Sequence, residues 1–508
     1  MRSAWLVAAV LATSGAGCAT ATPRDAPSPK VLMIFVDGLI PGALLAGDTP
    51  RIDALIERGA YSLAARAEST TISGSGYSTF LCGVHWDKHG VPDNAFAAPR
   101  YDRYPHVAKL LREARPDART ASAQMWEPIE RLLVAPAAPD FDVFHEYDDY
   151  SDDYFDEASA DSLCVRDLAT VLRAEDVDLA VMMFGELDGV GHSEGNAHYF
   201  AEDPLYRRML AKVDREVGAL LDAIEARESA DAEDWLVLLS SDHGGAKGSG
   251  HGQNVPAHRT IPLVVSGRGV ARGEIFPPPQ PVDLVPTALA HLGVSPRPEW
   301  DLDGVVLGRA PTRRPEPRLG ENLIFHGDAE LERGFDGVVG VPDASIAGWS
   351  DPGWMTVVAY GAQGGFPAPP DGRGGRGFFC GGARPAASSI EQTVDVARLW
   401  DAAGERGLAY ELSGLLGGFE ARSDACRLLA VFLAGDVELG RAELAPPTPE
   451  ERGGRTSFLF RRAEGPVPAG TERIVVRLEA LAPGDLGGSG GRNDGYADDL
   501  ALVLRVAR

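Results

Sequence analysis

A chain of 508 residues exceeds what one hydrophobic core holds and calls for roughly two or three domains. Its composition, 44% hydrophobic and 24% charged, excludes both a disordered polyelectrolyte and a bundle of membrane spans. A formal net charge of -26 excludes a nucleic-acid duplex as the main partner, because so acidic a chain has no basic stripe to meet phosphates; an anionic substrate must be attracted locally, as by bound cations.

In chain order, residues 1–18 carry Arg2, an apolar run from Ala4 to Ala12, and the small residues Ser14 to Gly17 before Cys18. That pattern is an export signal, too short for a transmembrane helix. Small residues ahead of a cysteine resemble the bacterial lipobox, so Cys18 is the candidate lipidation site, with plain secretion as the alternative. The expected location is the cell envelope, the periplasm or the medium. Residues 19–29 then form a tether.

From 30 to 308, apolar runs alternate with amphipathic stretches, which predicts an α/β domain: a mostly parallel sheet sandwiched by helices. Val31 to Val36, Leu179 to Phe184, Trp235 to Ser240 and Thr260 to Val265 read as strands. Leu205 to Arg227 reads as a covering helix, with Met209, Val213, Val217, Leu220, Leu221 and Ile224 on one stripe. Residues 309–319, centred on APTRRPEP, read as a linker. From 320 to 508, Gly-rich turns between short alternating runs such as Ile474 to Leu478 predict an all-β sandwich.

The first three strands each end in a polar cluster, where ligands gather in open α/β sheets. Asp37 follows the first. Asp188 and His192 stand four apart in GELDGVGHSEG, and Asp242 and His243 follow the third strand in SSDHGG, with His251 eight residues on. Any one of these reads as a turn or surface residue, but three Asp and three His at strand ends and among glycines form a donor set that suits zinc. Ser73, in STTISGSGYSTFLCG, sits where Gly74 and Gly76 allow a sharp turn into a helix whose N-terminus favours an anion.

These residues resemble the alkaline phosphatase superfamily, and within it the type I phosphodiesterase and nucleotide pyrophosphatase branch. VDG at 36–38, TISGSGYSTFLCGVHWDKHGV at 71–91, ELDGVGH at 186–192, SDHGG at 241–245, HGQN at 251–254 and VDLVPTALAHLGV at 282–294 carry the likeness. The resemblance implies two zinc ions: one held by Asp37, Asp242 and His243, the other by Asp188, His192 and His251. It implies Ser73 as the nucleophile, forming a phosphoserine intermediate, where many nucleotide pyrophosphatases carry Thr. Asn94 is a candidate substrate contact, and Lys88 reads as a solvated turn lysine. Three carboxylates and an alkoxide balance two dications, so a singly charged phosphodiester suits the centre better than a dianionic monoester. A small phosphate ester is the expected substrate. Phosphomonoester hydrolysis or phosphoryl transfer on the same core, and a surface or glycan-binding lipoprotein with an inactive hydrolase domain, are the alternatives.

The C-terminal part resembles the galactose-binding-like jelly rolls of carbohydrate-binding modules, through NLIFHGDAE at 322–330, GWSDPGW at 348–354 and GYADDLALVL at 495–504. That resemblance implies a structural calcium at Asp328, Glu330 and Asp499, with Asp498 as a substitute, and contact with a glycan or cell surface. Trp349 and Trp354 read as core residues. Cys380 with Cys426 is the expected disulfide, and Cys82 a small buried apolar residue.

Overall fold

The side chains of Val31 to Val36 are at most 1% exposed, and this run forms the centre of a sheet buried on both faces. The computed structural model describes residues 27–507, apart from 127, 129–142, 147–153, 157, 254, 309–315, 332–333, 335–345, 347, 351–354, 371–374, 383–386 and 482–491. Cys18, Trp354 and most of the expected linker lie outside the described residues.

Eight strands make the first sheet: β1 (Ser28–Val36), β2 (Ala60–Arg66), β3 (Thr120–Gln124), β4 (Val143–Glu146), β5 (Leu179–Phe184), β6 (Glu233–Ser240), β7 (Thr260–Gly267) and β8 (Gly273–Glu274). Their order is β4-β3-β5-β1-β6-β7-β2-β8. The run from β4 to β6 is parallel, β7 is antiparallel to both β6 and β2, and β8 is parallel to β2. The expected mostly parallel sheet is therefore present, with β7 the one reversed strand among those described.

Period-two alternation divides the strand side chains between two cores. Val31, Met33 and Phe35 of β1 face one core, closed by helices Ser73–Cys82, Val107–Ala114 and Leu284–His291. Leu32, Ile34 and Val36 face the other, closed by helices Ala160–Ala174 and Pro204–Glu225. The expected covering helix is the last of these, capped by Asp203, whose carboxylate accepts from Leu205 N and Tyr206 N. Each such side chain taken from water contributes roughly 1.5–3 kcal/mol.

The second unit is a sandwich of antiparallel sheets. Its strands are β9 (Thr356–Ala359), β10 (Gly377–Gly382), β11 (Ser388–Asp395), β12 (Leu408–Gly418), β13 (Ala425–Ala434), β14 (Val437–Leu444), β15 (Ser457–Pro466), β16 (Arg473–Leu481) and β17 (Asn493–Val506). One sheet runs β15-β12-β17-β10-β9, the other β11-β16-β13-β14. Leu412, Leu416, Leu502 and Leu504 of the first pack against Leu428, Phe432, Ile474 and Val476 of the second. Trp349 is buried in this core, as expected. The expected disulfide is absent: Cys380 and Cys426 are free thiols. Cys426 faces the core between the sheets, while Cys380 lies in an aromatic layer with Phe378 and Tyr496, its thiol donating to the Asn493 carbonyl.

In the first domain, Cys82 is 1% exposed, a small apolar residue as expected. Lys88 is not a free turn lysine: its ammonium pairs with Asp301 at 2.9 Å and Asp303 at 2.8 Å. Nearby, a buried carboxylate ties down the C-terminal end of the helix that starts at Ser73. Glu68 accepts from Thr79 Oγ1 at 2.9 Å within the helix and pairs with His85 Nδ1 at 2.8 Å beyond it. Burial alone would raise the Glu68 carboxyl, but the charge and hydrogen bond of His85, with help from His89 and Thr79, outweigh it and bring it down to about 2. A carboxyl depressed in the folded state stabilises above its unfolded value, about 4.3, and that contribution fades as pH falls toward 2. Glu68→Gln is therefore expected to cost about 2 kcal/mol near pH 5.5 and almost nothing near pH 2. Denaturant unfolding of both proteins across this range checks it; a difference that grows on acidification would contradict it.

Candidate metal centre

Three neighbouring strands, β5, β1 and β6, end at the same edge of the sheet, and the residues just beyond them meet there. Asp37 follows β1, Asp188 lies in the first turn of helix Glu186–Asn196 after β5, and Asp242 and His243 follow β6. The structure brings the six expected ligands together as two triplets, Asp37 with Asp242 and His243, and Asp188 with His192 and His251. Within each triplet the ligand atoms lie within 4.8 Å of one another. His243 Nε2 is 3.4 Å from Asp37 Oδ1 and 3.1 Å from Asp242 Oδ2; His192 Nε2 is 3.4 Å from Asp188 Oδ2. The His243 and His251 rings stack at 3.6 Å between centroids, which joins the triplets.

Two glycines make the convergence sterically feasible. Gly38 has φ +69°, and a Cβ there would lie 2.9 Å from Asp188 Oδ1, so the turn after Asp37 admits no side chain. A Cβ on Gly76 would lie 2.3 Å from the Asp242 Cβ. The glycine after Ser73 at 76 thus serves close packing of the helix on the metal-ligand loop, rather than the sharp turn expected of it.

Hydrogen bonds fix all three imidazoles the same way round. His192 Nδ1 faces Asn196 Oδ1 at 2.7 Å, His243 Nδ1 the Gly244 carbonyl at 2.9 Å, and His251 Nδ1 the Thr71 carbonyl at 2.8 Å. Each Nδ1 therefore carries a proton, and each Nε2 points inward. Burial holds His243 and His251 at about 3, so both are neutral. The Nε2 atoms of His192 and His251 lie 2.9 Å apart, close enough to share one cation. Thr71, at φ +45°, holds a backbone conformation that β-branched residues rarely adopt, in the same residue whose carbonyl sets the His251 tautomer.

The carboxylates ask for the same cations. Asp37, Asp188 and Asp242 all have raised pKa values, first through burial; repulsion from Asp242 adds to this at Asp37 and Asp188. Asp37 Oδ1, Asp188 Oδ1 and Asp242 Oδ2 are buried without a hydrogen-bond partner among the described residues. Buried unpaired acceptors on repelling carboxylates, beside inward lone pairs, fit divalent ions that bind oxygen and imidazole.

Ser73 opens its helix and is 6% exposed, with Oγ 3.4 Å from His243 Nε2. Asn94 reaches the same helix start: its Oδ1 accepts from Gly74 N at 2.8 Å. Sequence reasoning missed Thr71 and Asn196. Neither was readable: the backbone leaves the helix at Ser193, so Asn196 meets His192 through a turn rather than through helical spacing, and the backbone angle of Thr71 leaves no mark in the sequence.

The C-terminal acids behave differently. Asp328, Glu330, Asp498 and Asp499 form no triplet of ligand atoms of the kind found at the sheet edge, among the described residues. Glu330 accepts from Arg376 N and Gly377 N, and Asp328 pairs with His326. Burial raises Asp498 to about 7, with Asp499 and Glu330 adding repulsion against the hydrogen bonds from Tyr360 and Asp499.

Residues 31–278 match the family described as type I phosphodiesterase / nucleotide pyrophosphatase. Ectonucleotide pyrophosphatase/phosphodiesterase family member 7 of Mus musculus is 25% identical over 238 residues, covering 45% of this chain and 52% of that protein. Its Homo sapiens counterpart is 25% identical over 230 residues, covering 42% and 47%. The chain thus spans about half the length of these curated relatives. Among solved structures, a phosphonate monoester hydrolase of Agrobacterium radiobacter has a TM-score of 0.44 at 17% identity, covering 55% of this chain and 76% of that chain. A 2-O GAG sulfatase has a TM-score of 0.45 at 16% identity, covering 56% and 74%. The stretch that carries the two triplets, residues 31–278, is thus similar to the type I phosphodiesterase / nucleotide pyrophosphatase family.

Proposed function

We propose that this protein is a phosphodiesterase that binds two zinc ions and uses Ser73 as its nucleophile. The observation that carries the reading is the Ser73 hydroxyl, at a helix start, beside two triplets built for cations. Asp37, Asp242 and His243 would hold one ion, and Asp188, His192 and His251 the other. When bound, such a pair stabilises a serine alkoxide and takes up charge on the phosphate oxygens and the leaving group.

The chain's own residues supply the rest. Ser73 Oγ gives up its proton and attacks phosphorus in line with the departing alcohol oxygen; the bond to that oxygen breaks as the Oγ–P bond forms, the departing alkoxide takes up a proton, and the phosphoserine left behind, still esterified to the second alcohol, is hydrolysed by water to a phosphomonoester. Gly74 N fixes the oxygen of the Asn94 amide, which leaves the amide nitrogen to donate to a phosphate oxygen. Among the described residues, no Lys or Arg is hydrogen-bonded or ion-paired to Ser73 or the six ligands, which favours a singly charged diester over a monoester dianion.

The remaining expectations belong to the same proposal. Residues 1–18 support export and lipidation at Cys18, and among the described residues no helix is long and apolar enough to cross a membrane. The sandwich suits docking to a glycan or surface, with the C-terminal acids as its candidate calcium ligands.

Zinc-loaded protein should cleave bis(p-nitrophenyl) phosphate faster than p-nitrophenyl phosphate, and Ser73→Ala should lower the first rate at least about 10³-fold while zinc uptake is retained. Faster monoester cleavage would make it a phosphatase; full activity in Ser73→Ala would remove the serine from the reaction. Gly76→Ala should push Asp242 out of place and weaken zinc binding at least about 10-fold by calorimetry. Unchanged affinity would show that the close contact is not needed.

A further inference from the structure

Helix Glu186–Asn196 begins directly after β5 and carries Asp188 and His192, yet its N-cap residue is Gly185, which has no side chain to cap it. The cap comes from a neighbour. Asp161, near the start of helix Ala160–Ala174, accepts from Gly185 N at 3.1 Å through one carboxylate oxygen and from Glu186 N at 3.0 Å through the other. Glu186 returns the contact, accepting from Asp161 N at 3.1 Å. Each helix start is thus capped by the other's acid.

A buried lysine braces this exchange. Lys212, on helix Pro204–Glu225, donates to Glu186 Oε2 at 2.8 Å and to Ser159 Oγ at 3.0 Å, and pairs with Glu216 Oε1 at 3.1 Å. Ser159 Oγ in turn donates to Glu186 Oε2 at 3.1 Å, and Ser162 Oγ donates to Glu216 at 2.6 Å. Asp161, Glu186 and Lys212 are 0%, 2% and 6% exposed. Taking these charges from water is costly, and removing the one cation from among three acids is costlier still. None of these bonds reaches the ends of β1 or β6, where Asp37, Asp242 and His243 stand.

We propose that Lys212, with Asp161, Glu186 and Ser159, forms a positioning brace for the Asp188, His192 and His251 triplet alone. The proposal rests on the two-cation reading above. Glu186 is two residues from Asp188, so its carboxylate, fixed on three sides, sets where the first turn of the ligand helix starts. Metal ligands tolerate displacements of only about 0.5 Å, and loss of groups that orient ligands typically weakens metal affinity about 10- to 100-fold. A lysine that merely stabilised the core would act on both triplets alike.

Calorimetric titration of metal-free, full-length protein with zinc separates these cases in two backgrounds. Asp37→Asn disables the first triplet and His251→Ala the second. Adding Lys212→Met should weaken the ion left in the Asp37→Asn background about 10- to 100-fold and change the ion left in the His251→Ala background less than about 2-fold. Equal weakening in both backgrounds, or in neither, overturns the brace. If Lys212→Met loses its cooperative melting transition, Ser159→Ala replaces it, with about 3-fold weakening expected in the first background only. A parent protein that takes up fewer than two ions overturns the two-cation reading itself, and the brace with it.

Discussion

The adjacency of β5, β1 and β6 is the constraint on which the centre depends. Parallel neighbours in a sheet lie about 4.8 Å apart, so residues just past three adjacent strand ends are brought within ligand distance with no long loop to span the gap. One acid from each of the three ends, Asp188, Asp37 and Asp242, then shares a volume small enough that their charges oppose one another. The fold tolerates this because the strands beneath are apolar and buried on both faces, and the packing of two cores holds the ends in place. Stability is thus spent at the edge of the sheet to keep a set of groups that would separate if left to themselves.

The histidines complete the electrostatics. Their outer nitrogens are committed to Asn196, Gly244 and Thr71, so each ring turns its Nε2 toward the carboxylates. Carboxylate oxygens and inward-turned imidazole nitrogens have a natural complement in a small multivalent cation, and no Lys or Arg among the described residues is paired with them. Thr71 has a second consequence. It stands two residues before Ser73, so the strained backbone that fixes His251 is continuous with the turn that presents the hydroxyl.

Much of this was legible in the sequence, for identifiable reasons. Strands buried on both faces appear as uninterrupted apolar runs, so Leu179–Phe184 was delimited without error, and the acids and histidines beyond such runs stood out against glycine. Contacts between distant segments left no such trace. Lys212 reads as one more charge on an amphipathic helix, and only the folded chain reveals that it faces Glu186 and Glu216. Lys88, taken for a solvated residue, meets Asp301 and Asp303 across more than 200 residues. The cysteine pairing failed for a related reason: Cys380 and Cys426 share a domain, but the side of the sheet each faces is set by register, which spacing does not reveal.

The ligand triplets draw on residues from 37 to 251, and the helix bearing Ser73 packs against the loop at Asp242. Nearly all of the domain must therefore be made and threaded before either triplet exists. A nascent chain offers a metal only scattered side chains, so cation capture belongs to the last stage of assembly, after strand β6 has inserted beside β1 and the loop to His251 has closed. On the proposed two-cation reading, metal occupancy reports completed topology, and a chain interrupted anywhere before the loop that carries His251 would lack a full set of ligands.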